Sequence, residues 1–336
     1  MGKLIILSGP SCVGKGPMVT TLEIFLKSIN KKLTRHVLYN TRAPRKREIH
    51  GETYWYSYLW DVKNHEWDKE WSKKINDENA YNKYEAKNKM TSIMEHAIEK
   101  KQHFEIFAVR EDLQGLNYSV LEEELRNNDV VLLEIFQEKA DDVVTFCKKK
   151  GFEVKRIFIS PLSDEDYKAE GCSTPEERAV FTERTMRGKL DRRGEDSEES
   201  IEKRAKNAIE EVENARALRD KGEKDFIYFV NHFGEDMKSE WAELQRRVVY
   251  YHDKKSGKSV CLDIAITFWR FLEQIFPETF EHQCDEHRNA CCKCEICGDI
   301  RHDCTFSNNY GFGIGRVTAT CSRCGYTETF NDDLGD

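Results

Sequence analysis

The stretch LIILSGPSCVGKG, residues 4–16, decides how the chain folds. Leu4 to Leu7 is a continuous apolar run, as expected for a strand buried on both faces of a parallel sheet. Gly9, Pro10, Ser11, Cys12, Val13, Gly14 and Lys15 then read G-x-x-x-x-G-K, a loop that cradles phosphate, with Gly16 behind it. Its backbone N–H groups point inward, its glycines permit the tight path, and Lys15 reaches the terminal phosphates. Met18, Val19, Leu22, Phe25 and Leu26 follow at helical spacing, so a helix N-terminus faces the same anion. Gly16 stands where a Ser or Thr usually offers a hydroxyl to magnesium, and Pro17 comes next. Thr20 and Thr21 are the nearest hydroxyls and are expected to face elsewhere.

Composition bounds the remaining classes. The 336 residues suffice for two domains, or for one large domain with an appendage. Apolar residues make up 39% and charged residues 34%, which suits a soluble, highly solvated protein of the cytoplasm. No apolar run approaches the ~18 residues of a membrane span. Met1 leads straight into a strand instead of a signal sequence, so no membrane association is expected. The net charge of −8 argues against broad binding to nucleic acid or to a membrane surface. Eight of the twelve cysteines lie from Cys284 onward, in metal-like spacings that favour zinc over disulfides.

Residues 36–41 read as a short strand leading into TRAPRKREIHGETYWY, residues 41–56. Arg42 and Arg45 flank Pro44, which fixes its own φ and pushes Ala43 into an extended conformation. Two guanidinium forks on a stiffened turn suit a phosphate dianion. Tyr54 adds a hydroxyl donor and Glu48 can orient an arginine; a solvated turn is the plainer alternative. Residues 57–103 are dense in charge and in aromatics (Trp60, Trp67, Trp71, Tyr81, Tyr84), and a helix is predicted over 83–101 with Met90, Ile93, Met94, Ala97 and Ile98 as its apolar stripe.

Further on, residues 130–135 form a second buried strand whose apolar run ends in Glu134. A carboxylate at such a strand tip holds magnesium through water, or else simply faces solvent. A helix over 140–150 and strands over 154–160 and 225–230 complete an alternation that specifies a parallel α/β sheet flanked by helices, of the P-loop NTPase type. Within LDRRGEDSEESIEKR, residues 190–204, Asp196 and Glu199 suit a helix start, and Ile201, Ala205, Ala208, Ile209, Val212 and Ala215 give that helix one apolar face. Arg192, Arg193 and Arg204 place positive charge on or near this segment, as phosphoryl transfer requires. Surface arginines balancing nearby glutamates would look the same.

Three motifs in order, GPSCVGKG, TRAPR-x-x-E-x-x-G-x-x-Y and the 190–204 stretch, resemble the guanylate kinase family over roughly residues 1–250. The resemblance implies an ATP- and Mg2+-dependent kinase with an acceptor-nucleotide region over about 36–120 and a lid over about 187–204. In it Arg42, Arg45, Tyr54 and Tyr118 hold the acceptor phosphate, with Glu48 beside them, and Glu105 accepts hydrogen bonds from the guanine edge. Arg193 and Arg204 close over the transferring group, Asn231 lies near the adenine or simply caps the end of the last strand, and residues 57–103 form an inserted cap or a protein-docking arm. Lys189 replaces the family's first lid arginine. Leu38 and Phe136 stand where the family has a Ser and an Asp that read the base, so relaxed base selectivity is expected. Residues 239–252 look like the family's closing helix, and an apolar helix is predicted over 259–276.

Beyond the kinase-like region, Cys294-Glu-Ile-Cys297-Gly298 and Cys321-Ser-Arg-Cys324-Gly325 are matched knuckles separated by 23 residues. Two thiolates three residues apart share one tetrahedral ion, and two such pairs make a zinc ribbon with no position open to substrate. Cys284, His287, Cys291, Cys292, His302 and Cys304 could furnish a second site. Five Lys and Arg face nine Asp and Glu from Cys284 onward, which favours a structural role, a protein partner or self-association over nucleic acid.

These readings place a guanylate-kinase-like domain over 1–252 and an apolar helix with a zinc ribbon over 253–336. The expected function is phosphoryl transfer from ATP to GMP or a related nucleotide, with Zn2+ structural. The rival is a non-catalytic module of the same fold that docks a phosphorylated or acidic partner. Gly16-Pro17 favours the rival; Lys15 and the lid arginines oppose it.

Overall fold

The structure is a computed structural model that describes residues 2–45, 48–75, 77, 80–109, 111–194, 197–231, 246–253, 258–265, 271–272, 274–276, 317–320 and 327–330. In chain order its elements are β1 (Lys3–Ser8), α1 (Lys15–Ser28), β2 (Leu33–His36), β3 (Tyr39–Asn40), β4 (Trp55–Tyr56), β5 (Trp60–Asp61), β6 (Glu66–Trp67), α2 (Trp71–Lys74), α3 (Lys83–Glu99), β7 (Phe104–Val109), β8 (Asp112–Asn117), α4 (Tyr118–Asn127), β9 (Val130–Glu134), α5 (Gln137–Lys149), β10 (Glu153–Ser160), α6 (Asp164–Ala169), α7 (Pro175–Arg193), α8 (Glu198–Asp220), β11 (Phe226–Val230), β12 (Arg246–Asp253), β13 (Lys258–Ala265), β14 (Val317–Thr320) and β15 (Thr327–Phe330). The chain divides into two compact units: Met1–Gly9, Lys32–Phe158 and Ala217–Phe226 in one, and Pro10–Lys31, Ile159–Arg216 and Ile227–Asp336 in the other.

The main sheet has the order β11-β10-β1-β9-β2, with β1 in its middle. Every residue of β1 is buried, which is why Leu4 to Leu7 is continuously apolar and does not alternate. It pairs in parallel with β10 from Lys3↔Glu153 to Ser8↔Phe158, and with β9 from Lys3↔Val130 to Leu7↔Glu134. Leu4, Ile6, Val131 and Leu133 join Leu121 and Leu125 of α4 and Val143 and Cys147 of α5 in one core cluster. Burying these aliphatic side chains stabilises by roughly 1.5–3 kcal/mol each, so this layer anchors the first unit.

A second sheet, β4-β3-β8-β7, carries the predicted insertion. Met90, Ile93 and Ala97 of α3 are buried with Trp60 and Phe104, and Met94 packs against them. Ile98, assigned to the same stripe, is instead 56% exposed, because it falls one residue beyond the buried face. The insertion thus shares a small core with Tyr39, Phe104 and Ile106 of that sheet. Gly115 of β8 is required there: a Cβ would lie 2.6 Å from the Phe104 ring.

In the second unit, Met18, Val19, Leu22, Phe25 and Leu26 of α1 are all buried. Ile201, Ala205, Ala208, Val212 and Ala215 form the buried face of α8, as their spacing predicts. Its first turn uses Ser197, whose Oγ accepts from Ser200 N at 3.3 Å; Asp196 lies outside the described residues.

Two sequence expectations fail in this unit. Residues 246–252 and 259–265 are strand where helix was expected: β12 and β13 pair antiparallel from Arg246↔Ala265 to Asp253↔Lys258. Val248, Val249, Tyr250 and Tyr251 are β-branched or aromatic, and the intervening KKSG is a turn-forming polar break, so the pair favours a hairpin. Among the described residues of the predicted apolar helix, 271–272 and 274–275 are helical. Strands β14 and β15 pair antiparallel with Thr320 opposite Thr327. Cys294, Cys297, Cys321 and Cys324, and the six residues of the second possible site, lie outside the described residues. Among the described residues no helix is long and apolar enough to cross a membrane, and no cluster of three metal-ligating side chains occurs.

Candidate functional site

Two clusters gather residues singled out in the sequence. The first is the loop that runs into α1. Gly9 (φ 136°), Cys12 (φ 66°) and Gly14 (φ 86°) all adopt positive φ, which curls the chain. Gly14 has a second constraint, because a Cβ there would lie 2.4 Å from Asn231 Nδ2. Asn231 Nδ2 instead donates to the Val13 carbonyl at 2.8 Å and is 2% exposed. Asn231 therefore braces the loop, whereas the resemblance places it near the adenine.

Lys15 Nζ donates to the Pro10 carbonyl at 2.7 Å, so its side chain folds back across the loop. Met18 N pairs with Gly14 O at 3.3 Å, which leaves the N–H groups at the very start of α1 outside the intrahelical ladder. Pro17 lacks an N–H, yet it is tolerated in a first turn. Thr21 Oγ1 donates to Pro17 O at 2.9 Å and is buried, so that hydroxyl does face elsewhere. In the same unit Arg193, the last residue of α7, brings Nη1 to 3.7 Å from Cys12 Sγ. Arg204 sits half-buried on α8, while Lys189 is buried in α7.

The second cluster surrounds Arg42. Its guanidinium meets the Glu48 carboxylate in a two-pronged bridge, Nη1 to Oε2 and Nη2 to Oε1, both 2.6 Å, and Nη1 also donates to Ala43 O at 2.9 Å. Arg45 N donates to Glu48 Oε2 at 2.7 Å and Tyr56 Oη donates to the same oxygen at 2.8 Å. Burial pushes the Glu48 carboxyl up, but the Arg42 hydrogen bonds and charge, with the Arg45 and Tyr56 donors, outweigh it and hold the group at about 2. The Tyr54 ring lies 5.0 Å beneath the Arg42 guanidinium, and burial raises the Tyr54 phenol so that it stays a neutral donor.

Behind Tyr56 sits His50. Its Nδ1 accepts Tyr56 N–H at 3.1 Å, and Trp55, Trp67 and Trp71 pack around its ring at 5.1, 4.6 and 5.2 Å. Burial pushes this imidazole down to about 4. The inserted aromatics therefore buttress the arginine turn through His50 and Tyr56. Sequence reading missed Tyr56, although strand alternation puts it on the face of Tyr54.

Elsewhere in this unit Tyr118 Oη donates to Glu105 Oε2 at 3.0 Å, and Lys139 Nζ reaches Glu105 Oε1 at 2.5 Å. Tyr118, expected in the phosphate grip, is a core residue stacked on His103 and committed to Glu105. Glu134 bonds Arg35 Nη2 at 2.6 Å, a partner absent from the sequence reading. Leu38 is buried in the core cluster, and Phe136 caps the start of α5.

A parallel α/β sheet whose central strand feeds a glycine-lysine loop and a helix defines a P-loop-type fold. Within that class the chain is similar to guanylate kinases. It is 28% identical to the guanylate kinase of Trichormus variabilis over 215 residues, 64% of this chain and 78% of that protein. With the guanylate kinase of Mycoplasmoides gallisepticum it shares 25% over 210 residues, covering 62% and 78%. A solved guanylate kinase from Anaplasma phagocytophilum aligns over 82% of this chain and 96% of its own, with 18% identity and a TM-score of 0.35. No family model matches the chain.

Proposed function

We propose that the chain is an ATP-dependent kinase of nucleoside monophosphates, of guanylate kinase type. The observation that carries this reading is the Arg42–Glu48 bridge. It consumes the end-on fork of the guanidinium, and Ala43 O takes the other Nη1 hydrogen, so a monophosphate would be taken side-on by Nε–H and the second Nη2 hydrogen. Arg45 and the neutral Tyr54 hydroxyl would complete the grip. The similarity to guanylate kinases over 78% of the Trichormus protein supports the assignment.

ATP fits the loop: Lys15 and the N–H groups of Gly14, Lys15 and Gly16 would hold its phosphates, and a Cβ at Gly16 would meet nothing within 4 Å. Magnesium has a thinner protein donor set. Gly16 has no hydroxyl, Thr21 is spent on Pro17, and Glu134 would act through water after yielding Arg35. Such an ion neutralises phosphate charge. Arg193 and Arg204 would stabilise charge developing on the transferred group, and no general base is needed because the acceptor oxygen is already anionic.

Four thiolates at Cys294, Cys297, Cys321 and Cys324 suit one structural zinc. The hairpin of β14 and β15 supports this, since 321–326 is the connection between its strands. The domain division at 252/253 falls inside the β12–β13 pairing, and we place the boundary after Ala265. The non-catalytic docking module remains the second reading, favoured by the missing hydroxyl after Lys15. A thermal-shift titration with MgATP tests the donor assignment: wild type is expected to be stabilised by mass action and Lys15→Ala not. Identical flat responses would overturn it.

A further inference from the structure

Glu105 and Lys139 lie 34 residues apart in sequence and meet at 2.5 Å. Lys139 is the first-turn cation of α5, and its Nζ is shared with Asp142 at 2.6 Å. The lysine is 16% exposed and Glu105 is 37% exposed. The carboxylate can therefore be reached from solvent while the ammonium that marks it stays largely covered. Tyr118 holds the other oxygen, so the carboxylate cannot swing away from the lysine.

A bare carboxylate offers two adjacent acceptors. Among the common bases only guanine presents two adjacent donors, N1–H and the 2-amino group, on its pairing edge. An ammonium beside one carboxylate oxygen changes the pattern to acceptor plus donor. Guanine, hypoxanthine and uracil offer the complement of that pattern in one order, a ring N–H beside a keto oxygen (N1–H beside O6, N3–H beside O4), whereas adenine and cytosine carry the reverse order, an amino group beside a bare ring nitrogen. Strong discrimination arises when a mismatched ligand leaves a buried polar group unpaired, and this arrangement leaves none unpaired for a base with a ring N–H beside a keto oxygen, with or without the 2-amino group of guanine.

We infer that Lys139 is a specificity-determining residue that converts Glu105 from a reader of guanine's N1–H and 2-amino group into a reader of the ring N–H and keto oxygen that guanine and hypoxanthine share. This rests on the reading of Glu105 as the base-facing residue of a monophosphate kinase. On that reading, selectivity for the 2-amino group is removed by addition of a cation, not by loss of the acid.

Inosine monophosphate is the informative probe, because it keeps N1–H and O6 and lacks only the 2-amino group. Calorimetric affinity and kcat/KM are measured for GMP, IMP, AMP, CMP and UMP with wild type, Lys139→Met and Lys139→Arg. Wild type is expected to favour GMP over IMP by less than about threefold, and Lys139→Met by about tenfold or more, the scale of one hydrogen bond to a charged acceptor. Lys139→Arg, which keeps the cation, should behave as wild type. Glu105→Gln supplies an independent arm if Lys139→Met folds poorly: an amide already offers one donor and one acceptor, so its GMP-to-IMP ratio should match wild type. A tenfold GMP preference in wild type, an unchanged ratio in Lys139→Met, or a ratio that rises to about tenfold in Glu105→Gln would overturn the inference and leave the kinase assignment standing. Failure of wild type to bind any of the five would overturn both.

Discussion

Glu48 and Arg42 form a closed two-pronged bridge, 2.6 Å at each prong, and Tyr56 Oη donates to one of the same carboxylate oxygens at 2.8 Å. The bridge fixes the guanidinium plane before any ligand arrives, and so it removes an ordering step from phosphate capture. Removing the charge of Glu48 leaves the arginine in place but unaimed. Glu48→Gln is expected to raise KM for the acceptor by about 10–100-fold, the equivalent of one or two charge-assisted hydrogen bonds, with a smaller change in kcat. Initial rates against acceptor concentration check this.

Acid stability should report His50 and Glu48 in separate windows. The His50 imidazole falls from 6.5 to about 4 on folding, by burial, so the unfolded chain binds the extra proton between those values. Its contribution is complete above pH 6.5 and is lost as pH falls toward 4, by roughly 3 kcal/mol in all. Glu48 falls from 4.5 to about 2 and adds a second loss below pH 4.5. Urea unfolding of His50→Gln is expected to be flat between pH 7 and 5 where wild type declines. Parallel curves would contradict the assignment.

Gly115 and Gly188 should respond oppositely to alanine. A Cβ at Gly115 would sit 2.6 and 2.8 Å from the Phe104 ring and 3.2 Å from Met90 Sδ. Gly188 lies inside α7 with nothing within 4 Å of a Cβ. Gly115→Ala is expected to destabilise by about 1–3 kcal/mol, and Gly188→Ala to stabilise by about 0.5–1 kcal/mol. Denaturant midpoints at constant m-value measure both.

What the sequence discloses follows the range of the interactions involved. β1, α1, α3, β9 and α8 were legible because burial of one face or of both stamps a period on local residues. The residues 246–265 were misread: apolar positions there were compatible with either period, and strand pairing between partners at separations such as Val248↔Asp263 decided the outcome. Lys15 and the Arg42–Glu48 pair were readable from spacing. The links from Lys139 to Glu105 and from Arg35 to Glu134 were not, because 34 and 99 residues separate the partners and only the fold brings them together.

Zinc should be recovered with the protein. Metal analysis of reduced, purified chain is expected to give one zinc per chain, and Cys294→Ser or Cys321→Ser to lose it together with local stability, since metal binding and folding are coupled in such modules. A zinc-free preparation would contradict the ribbon. A ratio near two would assign the second set of cysteines and histidines.

The most direct test of the kinase assignment is turnover. A coupled ADP-release assay with MgATP and a panel of nucleoside monophosphates should show acceptor-dependent ADP formation by wild type, and Arg42→Ala should lower kcat/KM by about 10²-fold or more, as loss of a bidentate positioning clamp does. Acceptor-independent background alone, in a protein that still binds MgATP and a monophosphate, would contradict the enzyme and favour the docking module in its place.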